Sequence, residues 1–315
     1  MKLVSAAHCR HAAWLVEGVE ERAIMSRSAP IDIDCKSPPF DQYGSVHRLA
    51  AARSGHAFGE PGRHQLYVAR DNRRRANVLI KVTSKPGLVY EQELTNEIAS
   101  LSTINKELPD SPYFPVLEEH GRLRDGRVYL TMSCFDEWPL ATAIGSERMP
   151  ARQVAHLRTT IEVAKALAEL HGLRIWHVDL NPMNILCRWE SGNPVLRIVD
   201  FESSYEVARH SRGVFYNPPT TSGYSAPELS RQAPDARSDL FSLGAVLYTM
   251  LAGPEWAWAK DVGRCADADP ELDPELKAIL LTAVDADPDR RFPSIVEMRV
   301  ALTAYLERIW PGRSW

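Results

Sequence analysis

The first half of the chain contains apolar runs that predict β-strands, together with one helical pattern. Leu66–Ala69 and Val78–Val82 are rich in strand-forming residues, and the polar stretch Asp71–Asn77 between them predicts a hairpin connection. Between Glu91 and Ile104, apolar residues recur at helical spacing. Val128–Met132 is a further predicted strand. These elements predict a small antiparallel sheet accompanied by one helix.

The second half of the chain shows mainly helical patterns. Arg152–His171 carries an apolar stripe and is followed by Gly172, a residue that commonly ends helices. Asp239–Leu251 is almost wholly apolar, which predicts a buried helix. Two more helices are predicted near Pro274–Val284 and Ser294–Arg308.

This order of elements divides the chain into three segments. Residues 1–45 are predicted to form an N-terminal extension or linker, residues 46–135 a sheet-rich domain, and residues 136–315 a helical domain. Within the first segment, Ala12–Ile24 is compatible with a short amphipathic helix, whereas Ser37-Pro38-Pro39 interrupts regular structure.

Composition and charge narrow the class of protein. Hydrophobic residues make up 44% and charged residues 25% of the 315 residues, which indicates a globular rather than a disordered chain. The formal net charge of −4 provides no basic field that would indicate nucleic acid or an acidic membrane surface as the main partner. The longest strongly apolar run, Phe241–Ala252, is too short to span a bilayer.

The cysteines argue against a disulfide framework or a zinc site, because they are odd in number, far apart, and never arranged as C-x-x-C. They are Cys9, Cys35, Cys134, Cys187 and Cys265. Near the N-terminus, the short apolar run Leu3–Ala7 is followed by His8 and Arg10, which makes a poor signal-peptide core. We therefore expect a cytoplasmic protein.

The most informative segment places acidic and amide side chains around one predicted loop. Asp179 and Asn184 are five residues apart, and Asp200 follows the next predicted strand. A carboxylate can orient an incoming hydroxyl, while amide and carboxylate oxygens can hold Mg²⁺ against the phosphates of a nucleotide. The layout therefore suits phosphoryl transfer.

These segments resemble the catalytic loop and metal-binding motif of eukaryotic-type protein kinases, H-R-D-L-x-x-x-N followed by D-F-G. Here they read His177–Leu186 and Asp200-Phe201. The resemblance extends from about Val46 to about Arg308. It implies an α+β, bilobal fold with a small antiparallel sheet lobe and a larger helical lobe, which uses ATP and Mg²⁺.

The resemblance also implies roles for individual residues. Asp179 would be the catalytic base, Asn184 and Asp200 would bind Mg²⁺, and His177 would brace the loop. Thr221 matches a threonine that serine/threonine kinases place beside the catalytic aspartate, so the resemblance favours that class over tyrosine kinases.

ATP binding is assigned in the same way. Lys81 ends a strand that resembles V-A-I-K and would contact the α- and β-phosphates, held by Glu97, with Glu93 as the alternative partner. ATP would lie between the lobes. The further residues implied to contact it are Gly55, Gly59, Leu66, Leu79, Met132, Ser133, Cys134 and Leu186.

Two further motifs imply architecture rather than chemistry. Ala226-Pro227-Glu228 resembles the A-P-E motif, whose glutamate would pair with Arg291. Asp239, in a D-x-x-S-x-G motif, would brace the backbone of the catalytic loop. Small-molecule phosphotransferases with a similar core generally lack both motifs.

Several positions depart from the family pattern. The glycine-rich loop, Ser54–Glu60, lacks two of its glycines, and an alternative register would begin at Gly59 and use Gly62. Leu79 replaces an alanine above the adenine ring, and Asn181 replaces a lysine near the transferred phosphate. Glu202 replaces the glycine of D-F-G and adds a carboxylate beside the metal site.

Val178 replaces the arginine that normally receives a phosphate on the activation loop, so switching by that route is not expected. The candidate phosphorylation sites nearby are Ser203, Ser204, Tyr205, Ser211 and Tyr216.

Three hypotheses about function follow. The first is a protein serine/threonine kinase whose partner is a protein substrate, including itself by autophosphorylation. The second is a pseudokinase that serves as a binding or scaffold module. The third is a kinase-like phosphotransferase for a small molecule, because the Asn181-Pro182 pair resembles the loops of such enzymes.

Overall fold

The computed structural model describes residues 31–49, 64–144, 152–213, 216, 223–253 and 261–311. Several predicted features lie outside these residues and stay predictions: the helix at Ala12–Ile24, the glycine-rich loop with Gly55 and Gly59, and Thr221. The described residues form two compact units. The first takes in those up to Thr95 and Val116–Asp136, and the second takes in Asn96–Pro115 and those from Glu137 onward.

The first unit is built on a five-stranded antiparallel sheet with the order β1-β2-β3-β5-β4. Its strands are β1 (Tyr43–Arg48), β2 (His64–Asp71), β3 (Ala76–Thr83), β4 (Leu117–Arg122) and β5 (Val128–Ser133). The three predicted strands are confirmed as β2, β3 and β5. The outer strands β1 and β4 were not predicted, because their polar residues give no alternating apolar pattern.

One face of this sheet forms the core of the first unit. Tyr67, Ile80 and Val82 are fully buried there, and Phe40 packs edge-on against Tyr129 at 5.2 Å between ring centroids. Burying each side chain of this size stabilises the fold by roughly 1.5–3 kcal/mol. Side chains on the opposite face of the sheet do not belong to this core.

The predicted hairpin between β2 and β3 is confirmed. The Asp71 carboxylate accepts hydrogen bonds from the backbone N–H groups of Arg73, at 2.8 Å, and Arg74, at 3.2 Å, which closes the turn. Arg75 adopts a left-handed φ of 55°. All three arginines are exposed, as expected of a solvated turn.

Helix α1 (Leu88–Glu107) confirms the helical pattern of the first half and runs through the division between the two units. In its second half, which belongs to the second unit, Glu97, Ser100, Leu101 and Ile104 are fully buried. A buried carboxylate and hydroxyl on one helix face require specific polar partners.

The second unit is mainly helical. Its helices are α2 (Leu140–Ala143), α3 (Gln153–Gly172), α4 (Val207–His210), α5 (Ala236–Ala252), α6 (Val262–Ala268), α7 (Pro274–Ala283) and α8 (Ile295–Ile309). Short 3₁₀ helices lie at Pro227–Ser230 and Pro288–Arg290. The four helices predicted here are confirmed as α3, α5, α7 and α8.

Short strands complete the second unit. They are β6 (Trp138–Pro139), β7 (Ile175–Trp176), β8 (Ile185–Glu190), β9 (Asn193–Ile198) and β10 (Tyr205–Glu206). Strand β8 pairs with β6 and β9, and β7 pairs with β10. The single strand expected before Asp200 is thus a hairpin, which turns at Ser191 and Gly192, both with positive φ.

Helix α5 is the buried helix that the sequence pattern predicts in the second unit. It begins three residues before the predicted start, because the Asp235 carboxylate caps it by accepting the N–H of Arg237 at 2.7 Å. Asp239, in its first turn, is fully buried. In the described part of the chain, no helix is both long enough and apolar enough to cross a membrane. The architecture is α+β, as predicted.

Candidate active site

The carboxylate of Asp239 holds the backbone of the catalytic loop. Its Oδ2 accepts the backbone N–H of His177 at 2.9 Å, and its Oδ1 accepts that of Val178 at 2.7 Å. The imidazole Nε2 of His171 lies 2.9 Å from Oδ2. Val178 is buried and has φ of 68°, which is unfavourable for a β-branched residue. The predicted brace is therefore confirmed, and it holds a strained backbone.

The loop brings Asp179 and Asn184 together. The carbonyl oxygen of Asp179 accepts hydrogen bonds from the side-chain amides of Asn181, at 3.0 Å, and Asn184, at 2.9 Å. The Asn181 Oδ1 in turn accepts the N–H of Met183 at 2.9 Å. Asn184 therefore has its NH₂ group turned toward Asp179 and its amide oxygen turned the other way.

Backbone contacts bring Asp200 beside the same loop. The Val199 N–H donates to the carbonyl of Asn184 at 3.0 Å, and His177 Nε2 lies 3.1 Å from the Val199 carbonyl. Burial lowers the pKa of His177, so its imidazole is neutral and donates through Nε2. The predicted bracing role of His177 is consistent with this contact. Asp200 follows directly, with a left-handed φ of 69°.

Carboxylates gather around Asp200. Glu97, Asp200 and Glu202 each have a carboxylate oxygen within 4.8 Å of the others, and Glu97 Oε1 accepts the N–H of Phe201 at 3.3 Å. Negative charges this close repel one another, which favours a nearby cation. Mg²⁺ prefers oxygen ligands. Asp200 and the amide oxygen of Asn184 therefore fit the ion that the resemblance implies.

In the first unit, four of the residues expected to bind ATP share one face of the sheet. Leu66 on β2 lies directly opposite Lys81 on β3, and Leu79 on β3 lies opposite Met132 on β5. Residues directly opposite each other on antiparallel strands point to the same side. Lys81 is only 6% exposed, so its charged group lies in a largely desolvated position.

The remaining residues expected to bind ATP lie elsewhere. Ser133 ends β5, and the N–H of Cys134 donates to the carbonyl of Asn77 at 3.4 Å. Leu186 lies on β8, in the second unit, opposite Arg197. Lys81 and Glu97 belong to different units, and their pairing stays a prediction.

The second architectural motif is also confirmed. Arg291 donates to both carboxylate oxygens of Glu228, at 2.9 and 2.7 Å, and both side chains are buried. The Ser238 hydroxyl donates to Glu228 at 2.7 Å. The buried ion pair ties the 3₁₀ helix at Pro227–Ser230 to Arg291, which follows the 3₁₀ helix at Pro288–Arg290, and the Ser238 hydroxyl ties it to the start of α5.

One residue near the catalytic loop had been predicted only as a phosphorylation site. Tyr216 packs edge-on against Tyr205, at 5.1 Å between ring centroids, and His210, at 5.7 Å. Burial raises the pKa of the Tyr216 hydroxyl, and the nearby charges of Asp239 and Asp179 add to this effect. No sequence pattern predicts this aromatic cluster, since its members are 5 to 11 residues apart without regular spacing.

Comparison with known proteins identifies the family of this chain. The protein kinase domain family matches residues 56–292. Human ribosomal protein S6 kinase alpha-2 is 40% identical over 133 residues, which cover 41% of this chain and 18% of that protein. A probable serine/threonine-protein kinase of Streptomyces coelicolor is 28% identical over 277 residues, which cover 80% of this chain and 39% of that protein. The chain thus spans well under half the length of these relatives. Since the family match covers more than two thirds of the sequence, the chain belongs to the protein kinase domain family.

Proposed function

We propose that the protein is a serine/threonine-protein kinase that transfers the γ-phosphate of ATP to a hydroxyl of a protein substrate. The observation that carries this proposal is the pair of contacts around Asn184. Its side chain donates to Asp179, and its backbone carbonyl accepts the N–H of Val199, next to Asp200. One residue thereby links the proposed base to the proposed metal ligand.

Each residue has a defined task in this proposal. The Asp179 carboxylate orients the substrate hydroxyl and accepts its proton, while Asn184 and Asp200 hold Mg²⁺ through oxygen atoms. When bound, Mg²⁺ neutralises charge on the phosphates. Lys81 binds the α- and β-phosphates from the first unit, and Glu97 is its partner. Largely buried, Lys81 meets little competition from water for such a ligand.

Two observations favour a protein hydroxyl as the acceptor. The buried Glu228–Arg291 pair and the Asp239 brace are both present, and small-molecule phosphotransferases generally lack these motifs. The relatives in the comparison are named as ribosomal protein S6 kinases and a serine/threonine-protein kinase. Serine and threonine are therefore the proposed acceptors.

A pseudokinase is the second candidate, and one observation favours it. The Glu202 carboxylate lies within 4.8 Å of carboxylate oxygens of Asp200 and Glu97, where it adds negative charge beside the proposed metal ligand. Asn181, in place of a lysine, uses its side chain within the loop and supplies no cation. Both features would weaken the binding of a triphosphate.

Binding and transfer separate these candidates. ATP with Mg²⁺ at about 100 times its Kd should stabilise the fold by about 2.7 kcal/mol, which a thermal-shift assay detects. With labelled ATP and a generic protein substrate, the kinase proposal expects transfer in the wild type. It also expects a loss of about 10²-fold or more in Asp179→Asn and Lys81→Met.

Matched controls are available on the surface. Asp267→Asn and Lys106→Met change the same residue types at exposed positions and should transfer phosphate like the wild type. Stabilisation by ATP without transfer would favour the pseudokinase. Transfer only to a small alcohol or amine would favour the third class, and a protein that ATP does not stabilise contradicts the kinase proposal.

A further inference from the structure

The side chain of Asn96 binds the chain segment that follows Asp200. Asn96 is on α1, one position before Glu97, and both belong to the second unit. Its Nδ2 lies 2.9 Å from the carbonyl oxygen of Glu202 and 2.8 Å from that of Ser204, with the Phe201 carbonyl at 3.5 Å. The two amide hydrogens thus serve the two nearer carbonyls.

Residues one turn further along α1 complete this contact. The hydroxyls of Ser100 and Ser204 lie 2.8 Å apart, and both serines are fully buried. The Ser204 hydroxyl donates to the Phe201 carbonyl at 2.7 Å. Together with the Phe201 N–H bond to Glu97, these contacts fix both ends of the segment Phe201–Ser204.

The opposite side of the Asn96 amide is also occupied. Its Oδ1 accepts a hydrogen bond from the guanidinium of Arg209, which also lies 3.4 Å from a Glu206 carboxylate oxygen. A cation bound to the amide oxygen strengthens the N–H groups of the same amide as donors. The arrangement fixes the orientation of the amide, because a flipped amide would place its NH₂ group against Arg209.

The segment needs such a contact. Asp200 adopts a left-handed backbone conformation, which is unfavourable in free energy for residues other than glycine. This conformation persists only where the surrounding structure fixes it. The usual control by a phosphate bound to the arginine before the catalytic aspartate is absent, because Val178 occupies that position and is buried. Ser204 is fully buried and already bonded, which makes it a structural residue rather than a phosphorylation site.

We propose that Asn96 is a positioning residue for the transfer reaction. Its amide, together with the Ser100–Ser204 pair, fixes the backbone after Asp200 and thereby the Asp200 carboxylate, without any phosphorylation of the chain. This inference rests on the proposed kinase function. It assigns Asn96 no contact with substrate, so its effect must appear through Asp200.

The isosteric variant Asn96→Asp tests the proposal. It keeps an acceptor for Arg209 but replaces the NH₂ donor with a carboxylate oxygen that faces two carbonyls. We expect the Mg²⁺ concentration for half-maximal transfer to rise roughly tenfold, as for the loss of about one well-placed hydrogen bond, while KM for the protein substrate stays unchanged.

Asn105→Asp is the matched control. Asn105 is on the same helix, and its Nδ2 donates to the Pro115 carbonyl at 2.8 Å, in the same unit but outside the Asp200 segment. This variant should lose stability to a similar extent and keep the Mg²⁺ dependence of the wild type. An equal shift in both variants would mean a general structural effect and would overturn the proposal.

Hydrogen exchange of the full chain without nucleotide gives a readout that does not need activity. The amides of Phe201 and Ser204 should exchange at least several-fold faster in Asn96→Asp than in Asn105→Asp, because both are bonded within the fixed segment. Unchanged exchange together with unchanged Mg²⁺ dependence would overturn the proposal. If Asn96→Asp does not fold, the double variant Ser100→Ala/Ser204→Ala serves instead, because it removes both hydroxyls of the pair and leaves neither one unpaired. It must then show the same changes in Mg²⁺ dependence and exchange rate, at smaller size.

The two proposals fail in different ways. A wild type that transfers no phosphate contradicts the kinase function whatever Asn96 does, and stabilisation by Mg²⁺ with ATP and the exchange rates then decide the role of Asn96 in fixing Asp200. A wild type that transfers phosphate while Asn96→Asp behaves like it contradicts the Asn96 proposal alone.

Discussion

The catalytic loop and the segment after Asp200 are both held next to a strained backbone position, but by different side-chain groups. Each keeps a residue other than glycine in a left-handed backbone conformation: Val178, in the loop, has φ of 68°, and Asp200, directly before the segment, has φ of 69°. The loop is held by the fully buried carboxylate of Asp239. The segment is held mainly by the neutral amide of Asn96, which is only partly buried.

Because the two anchoring groups differ in charge and burial, we expect them to contribute differently to the stability of the fold and to the positioning of the site. Hydrogen bonds to a charged group contribute about 1.5–3 kcal/mol each, whereas neutral ones contribute about 0.5–1.5 kcal/mol. Removing a buried charged anchor also leaves backbone donors without partners. We therefore expect changes at the loop anchor to lower the free energy of unfolding strongly, and changes at Asn96 to alter activity with a smaller loss of stability.

The largest effect is expected for Asp239→Ala. The change leaves the N–H groups of His177 and Val178 without an acceptor in a buried site, and each orphaned donor costs about 1–3 kcal/mol. With the contact to His171 also lost, the free energy of unfolding should fall by roughly 3–6 kcal/mol. Urea unfolding measures this loss.

The exposed Asp267→Ala is the control for this variant and should change stability by less than about 0.5 kcal/mol. If Asp239→Ala destabilised the protein no more than Asn96→Asp, the contrast between a charged and a neutral anchor would be wrong.

The buried Glu228–Arg291 pair extends the contrast to a second charged anchor. Glu228→Leu alone leaves the Arg291 guanidinium buried without its partner and should cost about 3–5 kcal/mol. The double variant Glu228→Leu/Arg291→Met removes both charges and should recover most of that loss. Urea unfolding of the single and double variants checks this.

Recovery in the double variant would mean that the pair contributes little net stability. An additive loss would instead show that Arg291 matters through its other contacts, which include the carbonyls of Arg237 and Asp285.

The same contrast explains what could be predicted from the sequence. Asp239 was found because its motif lies at a fixed spacing and its task, two bonds to a nearby loop, is shared across the family. The role of Asn96 was not predicted, because its partners are backbone carbonyls 106 and 108 residues away. Every residue has a backbone carbonyl, so the residue type at those positions does not indicate the contact. The helices predicted within the described residues and the inner strands were confirmed, since burial imposes a periodic pattern on them.

Predictions failed where burial imposes no such pattern. The outer strands β1 and β4 alternate weakly between buried and exposed positions, so their hydrogen bonding with neighbours could not be read from side chains. The aromatic contacts of Tyr216 depend on the path of an irregular segment, which local sequence does not specify.

A smaller effect is expected for Gly244→Ala on α5, the helix that carries Asp239. A Cβ atom at this position would lie 2.7 Å from Val284 Cγ1 and 3.0 Å from the Cβ of Ala283. Such overpacking costs about 1–3 kcal/mol in a core. Urea unfolding should show this loss, whereas the double variant Gly244→Ala/Val284→Ala should recover part of it.

Gly244→Ala sharpens the comparison because it displaces the support of the catalytic loop without touching a charge. Transfer should fall together with stability, while the exchange rates of Phe201 and Ser204 stay close to wild type. Faster exchange at those amides would show that the two regions are coupled and not independently held.

The smallest effect concerns a histidine outside both regions. Burial lowers the pKa of His156, on α3, to about 4. The unfolded chain therefore takes up a proton at this residue below about pH 6.5, and the folded protein does so only near pH 4. Its contribution to stability is complete above pH 6.5 and is lost as the pH falls toward 4. Because the ring is partly exposed, we expect a loss of at most about 1 kcal/mol between pH 7 and pH 5.

His156→Phe should remove this part of the acid sensitivity, as measured by urea unfolding at pH 7 and pH 5. The remaining sensitivity should come from His177 in the catalytic loop and His210 after the Asp200 segment, since burial lowers the pKa of each. If His156→Phe kept the full pH dependence, the acid-sensitive groups would lie in the two regions themselves. The loop would then be the more acid-sensitive of the two regions, because His177 is fully buried whereas His210 is 7% exposed, and burial is the main cause that lowers the pKa of each.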